Sequence, residues 1–129
     1  MSQENVEIVR RAFAYEIYGV GGRAEAEAIF DPNVVMNPND VGPFHGLDAM
    51  RDDFERWASA FEALEVSAEE FIDAGDRVLV TAYHRGRGQT SGVEVDGRFY
   101  EVYTLRDGRV VRIDEYVERA EALEAVGLE

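Results

Sequence analysis

The sequence predicts an α+β fold in which helices come first and a curved antiparallel sheet comes last. Three observations carry this. Apolar residues recur at helical spacing in two early segments, and the period changes to two after Leu64. The strand-forming segments then follow one another instead of alternating with helices, which places the helices on one face of a single sheet.

Residues 2–18 read as a helix, with Val6, Val9, Phe13 and Ile17 on one stripe, Ser2 as a cap and Gly19, Gly21 and Gly22 as the stop. A short Ala/Glu helix over 23–30 ends at Asp31-Pro32, and 34–37 reads as a short strand before the Pro-containing stretch 38–43. Met50, Phe54, Trp57, Ala58 and Phe61 mark a second amphipathic helix over 47–62. Val66, Ala68, Glu70 and Ile72 then alternate with Ser67, Glu69, Phe71 and Asp73 up to an Ala74-Gly75-Asp76 turn. Strands over 78–87, 93–105 and 110–117 follow, joined by a Gly-rich hairpin at 86–92 and the Arg106-Asp107-Gly108 turn. Asp96-Gly97 reads as a bulge or turn, and the last dozen residues as a helical end.

The 129 residues are expected to form a single domain, 1–129, with 46% hydrophobic and 11% aromatic residues to build a core. The absence of cysteine excludes disulfides, thiolate catalysis and cysteine-ligated zinc, and two histidines argue against a His-rich site, so no metal and no cofactor is expected. The net charge of −14 argues against nucleic acid and anionic membranes as partners. All 13 basic residues are Arg, which fits a GC-rich genome or a high-salt cytoplasm. No apolar run approaches the ~18 residues of a membrane span. The start, MSQENVE, is unlike a signal peptide, so a cytoplasmic location is expected. Gly86-Arg87-Gly88-Gln89 lacks the Lys and Ser/Thr of a phosphate loop, and the four serines form no visible triad with His45 or His84.

The pieces "IFDPNVVMNP", "FHGLDAMRDDF", "FIDAGDRVLV" and "YTLRDGRVVRIDEYVERAEALEAVGL", in this order over nearly the whole chain, resemble the SnoaL-like branch of the nuclear transport factor 2-like superfamily. The resemblance implies a cone: a curved sheet wrapped around the N-terminal helices, with a central apolar pocket. That superfamily holds polyketide cyclases, ketosteroid isomerases, epoxide hydrolases, dehydratases and non-catalytic binding domains, so chemistry has to be argued at the pocket.

Matching the chain to the family puts Leu79, Thr81, Tyr83 and Arg85 inward on one strand, Glu101, Tyr103 and Leu105 on the next, and Ile113, Glu115 and Val117 on the last, with His84 outward. A carboxyl group inside such a pocket loses water and favours its neutral form, which suits a general acid. A one-residue slip would turn each of these side chains to the other face. By resemblance, Glu115 stands where cyclases and epoxide hydrolases place an acid–base Asp, and Glu101 where the steroid isomerases carry a protonated Asp. The isomerases' general base corresponds to Asn37, which cannot take a proton, and the hydrolases' Asp-Arg-Asp set meets Tyr83 and Arg85. His45, before the second amphipathic helix, reads as a turn or capping residue. Glu115 and Glu101 are therefore the catalytic candidates. Asn37, Tyr83, Tyr103, Trp57, Phe61, Arg85, Tyr15 and Thr81 are the substrate-binding candidates, with Tyr18 also near the pocket. Arg85 would bind an acidic substrate group or pair with Glu101. Phe54, Trp57 and Phe61 serve equally as core or pocket wall.

Two functions stay open at this point. One is a cofactor-independent isomerase, cyclase or lyase acting on a small hydrophobic, oxygenated molecule. The other is a non-catalytic ligand-binding or dimerisation domain. Val80, Val102 and Val111, expected on the outer face of the sheet, suggest a homodimer.

Overall fold

A computed structural model describes residues 2–39 and 41–128. The order is α1 (Ser2–Tyr18), α2 (Gly22–Ile29), β1 (Phe30–Asn37), β2 (Phe44–His45), α3 (Leu47–Ala58), β3 (Phe61–Asp73), β4 (Arg77–Gly88), β5 (Glu94–Arg106), β6 (Arg109–Tyr116) and α4 (Arg119–Ala125). The strands form one curved, open sheet in the order β2-β1-β6-β5-β4-β3. Its pairs are antiparallel except β1 with β6, which run parallel, so the sheet is mixed. This departs from the all-antiparallel expectation, because the chain crosses from β1 to the far side of the sheet and returns through β6.

The stripe of α1 packs on the concave face: Val9, Ala12, Phe13 and Ile17 are buried against Val34, Met36, Val78, Val80, Ala82 and Ile113. Each large apolar side chain buried this way contributes roughly 1.5–3 kcal/mol. The helix ends where Gly19, at φ +71°, donates its N–H to Tyr15 O. Arg51 of α3 donates Nη1 to Glu16 O at 2.7 Å and to Ile17 O at 3.3 Å, satisfying carbonyls left open at the helix end. That contact ties α3 to the turn carrying Glu16. The Ser2 side chain, expected as the cap of α1, lies outside the described residues.

Several boundaries differ from the sequence expectation. The second amphipathic helix stops at Ala58, and Phe61 is the first residue of β3. Asp96-Gly97 lies inside β5, with Gly97 opposite His84. A Cβ on Gly97 would meet His84 Cε1 at 3.3 Å, so the glycine serves close packing and not a turn. Strand β3 is bulged between Ala68 and Glu70. The bulge shifts its alternation: Leu64, Val66 and Ala68 face the core before it and Phe71 after it, while Ile72 turns outward.

On the outer face, Ala122 of α4 packs on Leu79, Tyr100 and Val102 in a second, smaller core. Of the three valines expected on that face, Val80 faces the main core, Val102 lies beneath α4, and Val111 is half-buried. Among the described residues no helix is long and apolar enough to cross a membrane.

Candidate functional site

A cavity of about 240 Å³ lies between α1, α3 and the concave face of the sheet. Ile17, Met36, Phe54, Trp57 and Phe99 give it apolar walls, and Glu16, Asp53, His84, Glu101 and Glu115 also line it. Trp57 is the hub of the aromatic side, with ring centroids 5.0 Å from Phe61, 5.1 Å from His84 and 5.8 Å from Phe54.

The floor is built from α1 and β5. Glu101 and Glu16 are 1% and 2% exposed. The Tyr103 hydroxyl lies 2.5 Å from Glu16 Oε1 and 3.0 Å from Glu101 Oε1, and the two carboxyl groups hydrogen-bond each other. Burial holds the proton affinity of Glu101 well above the ordinary carboxyl range, and the charges of Glu16 and Glu115 add to the rise. Burial raises Glu16 as well, against the lowering effect of its hydrogen bonds to Glu101 and Tyr103. Tyr103 is also pushed up, by burial and then by the two acids beside it, so its hydroxyl stays neutral.

Glu115 stands directly across from Glu101 in the β5–β6 register. It is half-buried, and its Oε1 accepts the Asn39 N–H at 3.0 Å. On the α3 side, Asp53 is buried and accepts from Arg56 Nη2 at 2.7 Å. His84 is held below its ordinary proton affinity by burial, and its buried Nδ1 has no hydrogen-bond partner among the described residues. Among the described residues no group of His, Asp and Glu is arranged to hold a metal ion.

The structure brings Glu101, Glu115 and Trp57 to one cavity, with the Tyr103 hydroxyl bonded beneath it and Phe61 packed behind Trp57. It does not bring the β4 candidates there. Val78, Val80 and Ala82 face the core, so Leu79, Thr81, Tyr83 and Arg85 point outward and His84 points inward, one residue out of step with the expected register. Tyr83 donates to Asp96 at 3.0 Å, Arg85 pairs with Glu65 at 2.8 Å instead of Glu101, and Thr81 lies 3.5 Å from Arg119 Nη1. Tyr83 and Arg85 line a larger outer depression of about 470 Å³, but its Arg and Tyr groups already hold acidic partners. Asn37 also turns outward, donating to Asp114 at 3.2 Å, because Met36 takes the inward position on β1. Tyr15 is buried in the core against Phe30, and Tyr18 is exposed.

Sequence reasoning missed Glu16, Asp53 and His84. Glu16 had a readable signal: it falls seven residues after Val9 and three after Phe13, on the apolar stripe of α1, where a carboxylate is out of place.

The profile of the SnoaL-like domain matches residues 9–113, most of the chain. The chain belongs to the SnoaL-like family. Solved structures similar to this SnoaL-like domain include a protein described as a SnoaL-like polyketide cyclase from Jannaschia sp. CCS1, 24% identical over 98% of this chain and 94% of that one, with a TM-score of 0.75. A protein of the nuclear transport factor 2-like class from Burkholderia xenovorans LB400 is 25% identical, with 98% of each chain covered and a TM-score of 0.73. A protein of ketosteroid isomerase-like fold from Catenulispora acidiphila DSM 44928, in complex with trimethylamine, is 18% identical over 95% of this chain and 94% of that one, with a TM-score of 0.69. At such identities the likeness speaks for the fold. No curated protein matches the chain.

Proposed function

We propose that this SnoaL-like domain is a cofactor-independent acid–base enzyme, an isomerase, cyclase or lyase acting on a small, mostly apolar, oxygenated molecule. The observation that carries the reading is Glu101: a carboxyl group 1% exposed at the floor of an apolar-walled cavity, its proton affinity raised by burial, with Glu115 across from it. In this reading Glu101 donates a hydrogen bond to a carbonyl oxygen of the substrate. Glu115 takes a proton from the adjacent carbon, whose C–H electron pair moves into the new C=C bond as the oxygen gains negative character. Return of the proton from Glu115 to another carbon completes an isomerisation. The Asn39 N–H holds Glu115 in place. Trp57 and Phe99 supply the apolar contact. An engineered apolar cavity of about 150 Å³ admits benzene, so 240 Å³ suits one substituted ring or a short chain. The cyclase description of the Jannaschia protein agrees with this class of chemistry.

A second reading, a ligand-binding domain without turnover, is favoured by one feature: the polar atoms of Glu101 are bonded within the protein itself. Identifying by mass spectrometry what co-purifies in the cavity, then assaying it with the native chain and Glu115→Gln, separates the two. Turnover that Glu115→Gln abolishes supports the enzyme; a retained ligand with no turnover of it or its analogues supports binding alone. The reading also takes the chain as a homodimer through the outer face around Val111, and sedimentation showing a monomer at micromolar concentration would overturn that part.

A further inference from the structure

The floor of the cavity poses a problem of proton inventory. Three contacts close a ring between Tyr103 and Glu16, Tyr103 and Glu101, and the two carboxyl groups. The Tyr103 hydroxyl brings one proton and donates it to one acceptor at a time. An ionised carboxylate accepts only, so the Glu16–Glu101 contact needs a proton of its own. Without it, two anions buried to 1% and 2% exposure would touch with nothing between them. Two of the three contacts carry a proton when Tyr103 donates to Glu16, at the shorter distance of 2.5 Å, and one further proton lies between the two acids; the 3.0 Å approach of the Tyr103 oxygen to Glu101 is then a contact without a proton.

We propose that Glu16 is a positioning residue that shares this single proton with Glu101 in the empty cavity and so keeps Glu101 in its protonated form, the proton turning from Glu16 to a substrate oxygen when one enters. The inference rests on the reading of Glu101 as the acid of the site, and it adds the partner that keeps it so. Glu16 is suited to the task by its place. It lies in the last turn of α1, fixed by the Arg51 bonds to its own carbonyl and to that of Ile17. A glutamine there would fill the same space, yet could not carry the charge that makes loss of the proton from Glu101 unfavourable.

The surrounding charges favour one proton on the pair. Asp53 from α3 and Glu115 from β6 act as like charges, on Glu16 and Glu101 respectively, and Arg51 from α3 opposes them at Glu16. Arg56 is engaged with Asp53, and the Tyr103 hydroxyl from β5 donates into the pair. His84 from β4 lines the same cavity and is held toward its neutral form, so it adds little positive charge to draw the proton off.

The test is carboxyl titration by NMR on ligand-free protein labelled at the glutamate carboxyl carbons, between pH 5 and pH 8. The native chain is expected to show one carboxyl that titrates well above the ordinary value of 4.5 and vanishes in Glu101→Gln. In Glu16→Gln the Glu101 midpoint should fall by about one pH unit or more, since its nearest like charge is gone. In Tyr103→Phe the midpoint of the pair should rise, because a donor to the ionised form is lost. A merely structural Glu16 would change thermal stability and leave the Glu101 midpoint where it was. Two results would overturn the proposal: no carboxyl of the native chain titrating above the ordinary range, or a Glu101 midpoint left unchanged in a folded Glu16→Gln. Should Glu16→Gln fail to fold, the native titration and Tyr103→Phe decide the matter. No substrate is needed, so a pair that titrates as described in a chain without turnover retires the enzyme reading and leaves the shared proton standing.

Discussion

On the outer face of β3, β4 and β5, acids meet guanidinium groups in water. Arg85 Nε lies 2.8 Å from Glu65 Oε1, Arg98 Nε lies 2.6 Å from Glu69 Oε1, and both pairs are well exposed. On the concave face of the same sheet, an acid meets an acid: Glu101 touches Glu16 and stands across from Glu115. On the outer face Arg98 holds Glu69 below its ordinary range. Inside, burial and like charge push the other way. Solvent and partner, and not residue type, decide which glutamate is a surface charge and which is a proton store. The larger depression on the outer face is for this reason the weaker candidate for chemistry.

The largest effect should come from the concave side. Glu115→Gln preserves shape and removes the base, so turnover of an identified substrate should fall on the order of a hundredfold or more; circular dichroism should show the fold intact. A variant that keeps its full rate would take Glu115 out of the mechanism.

Two tyrosines sharpen the contrast next. Tyr103→Phe leaves buried carboxyl oxygens short of a donor and should cost about 1–3 kcal/mol in urea unfolding. Tyr83→Phe loses only a solvent-facing bond to Asp96 and should stay within about 0.5 kcal/mol. Equal costs would erase the distinction between the faces.

The pH dependence of stability should differ in sign. Glu16 and Glu101 have folded-state proton affinities raised above the ordinary value of 4.5. Their contribution is full below that value and is lost as pH rises through the folded midpoints, because the unfolded chain ionises first. Glu69 is lowered, so its contribution is present above 4.5 and lost as pH falls. The double variant Glu16→Gln, Glu101→Gln should flatten the decline in stability from about pH 5 to pH 8, as measured by thermal unfolding across that range, whereas Glu69→Gln should leave it unchanged.

The smallest effect belongs to the outer pairs. A double-mutant cycle on Arg85 and Glu65 should give a coupling below about 1 kcal/mol, reduced further in 1 M salt. A larger, salt-insensitive coupling would mean that this face is covered in solution.

The helices and the order of strands were legible because their patterns have one cause each. The stripe Val9, Phe13, Ile17 has a single face to bury, and Glu101 with Tyr103 share a face by being two apart. Strand β4 was not legible, since it is apolar on both sides: Val78, Val80 and Ala82 face the main core while Leu79 lies beneath α4. Alternation cannot then say which set is inward. The bulge in β3 compounds this by changing the phase of the neighbouring strand midway. Tyr83, Arg85 and His84 were misplaced for that reason, and Asn37 because Met36 competes for the inward position on β1. The shared proton required Glu16, which is 85 residues from Glu101 in the chain and adjacent only once α1 lies in the sheet.

The parallel pairing of β1 with β6 bears on how the chain is made. Residues 30–37 reach the ribosome exit well before their ladder partner, which apart from the two-residue β2 lies far downstream at 109–116. During synthesis β1 therefore waits with one edge open while β3, β4 and β5 can already pair as consecutive hairpins. A nascent chain stalled before residue 109 would hold the β3–β5 hairpins and lack the wall that carries Glu115. The cavity is thus closed by the sixth strand of the sheet, translated after the other five, and its formation is a long-range event of the kind that slows folding and invites chaperone contact.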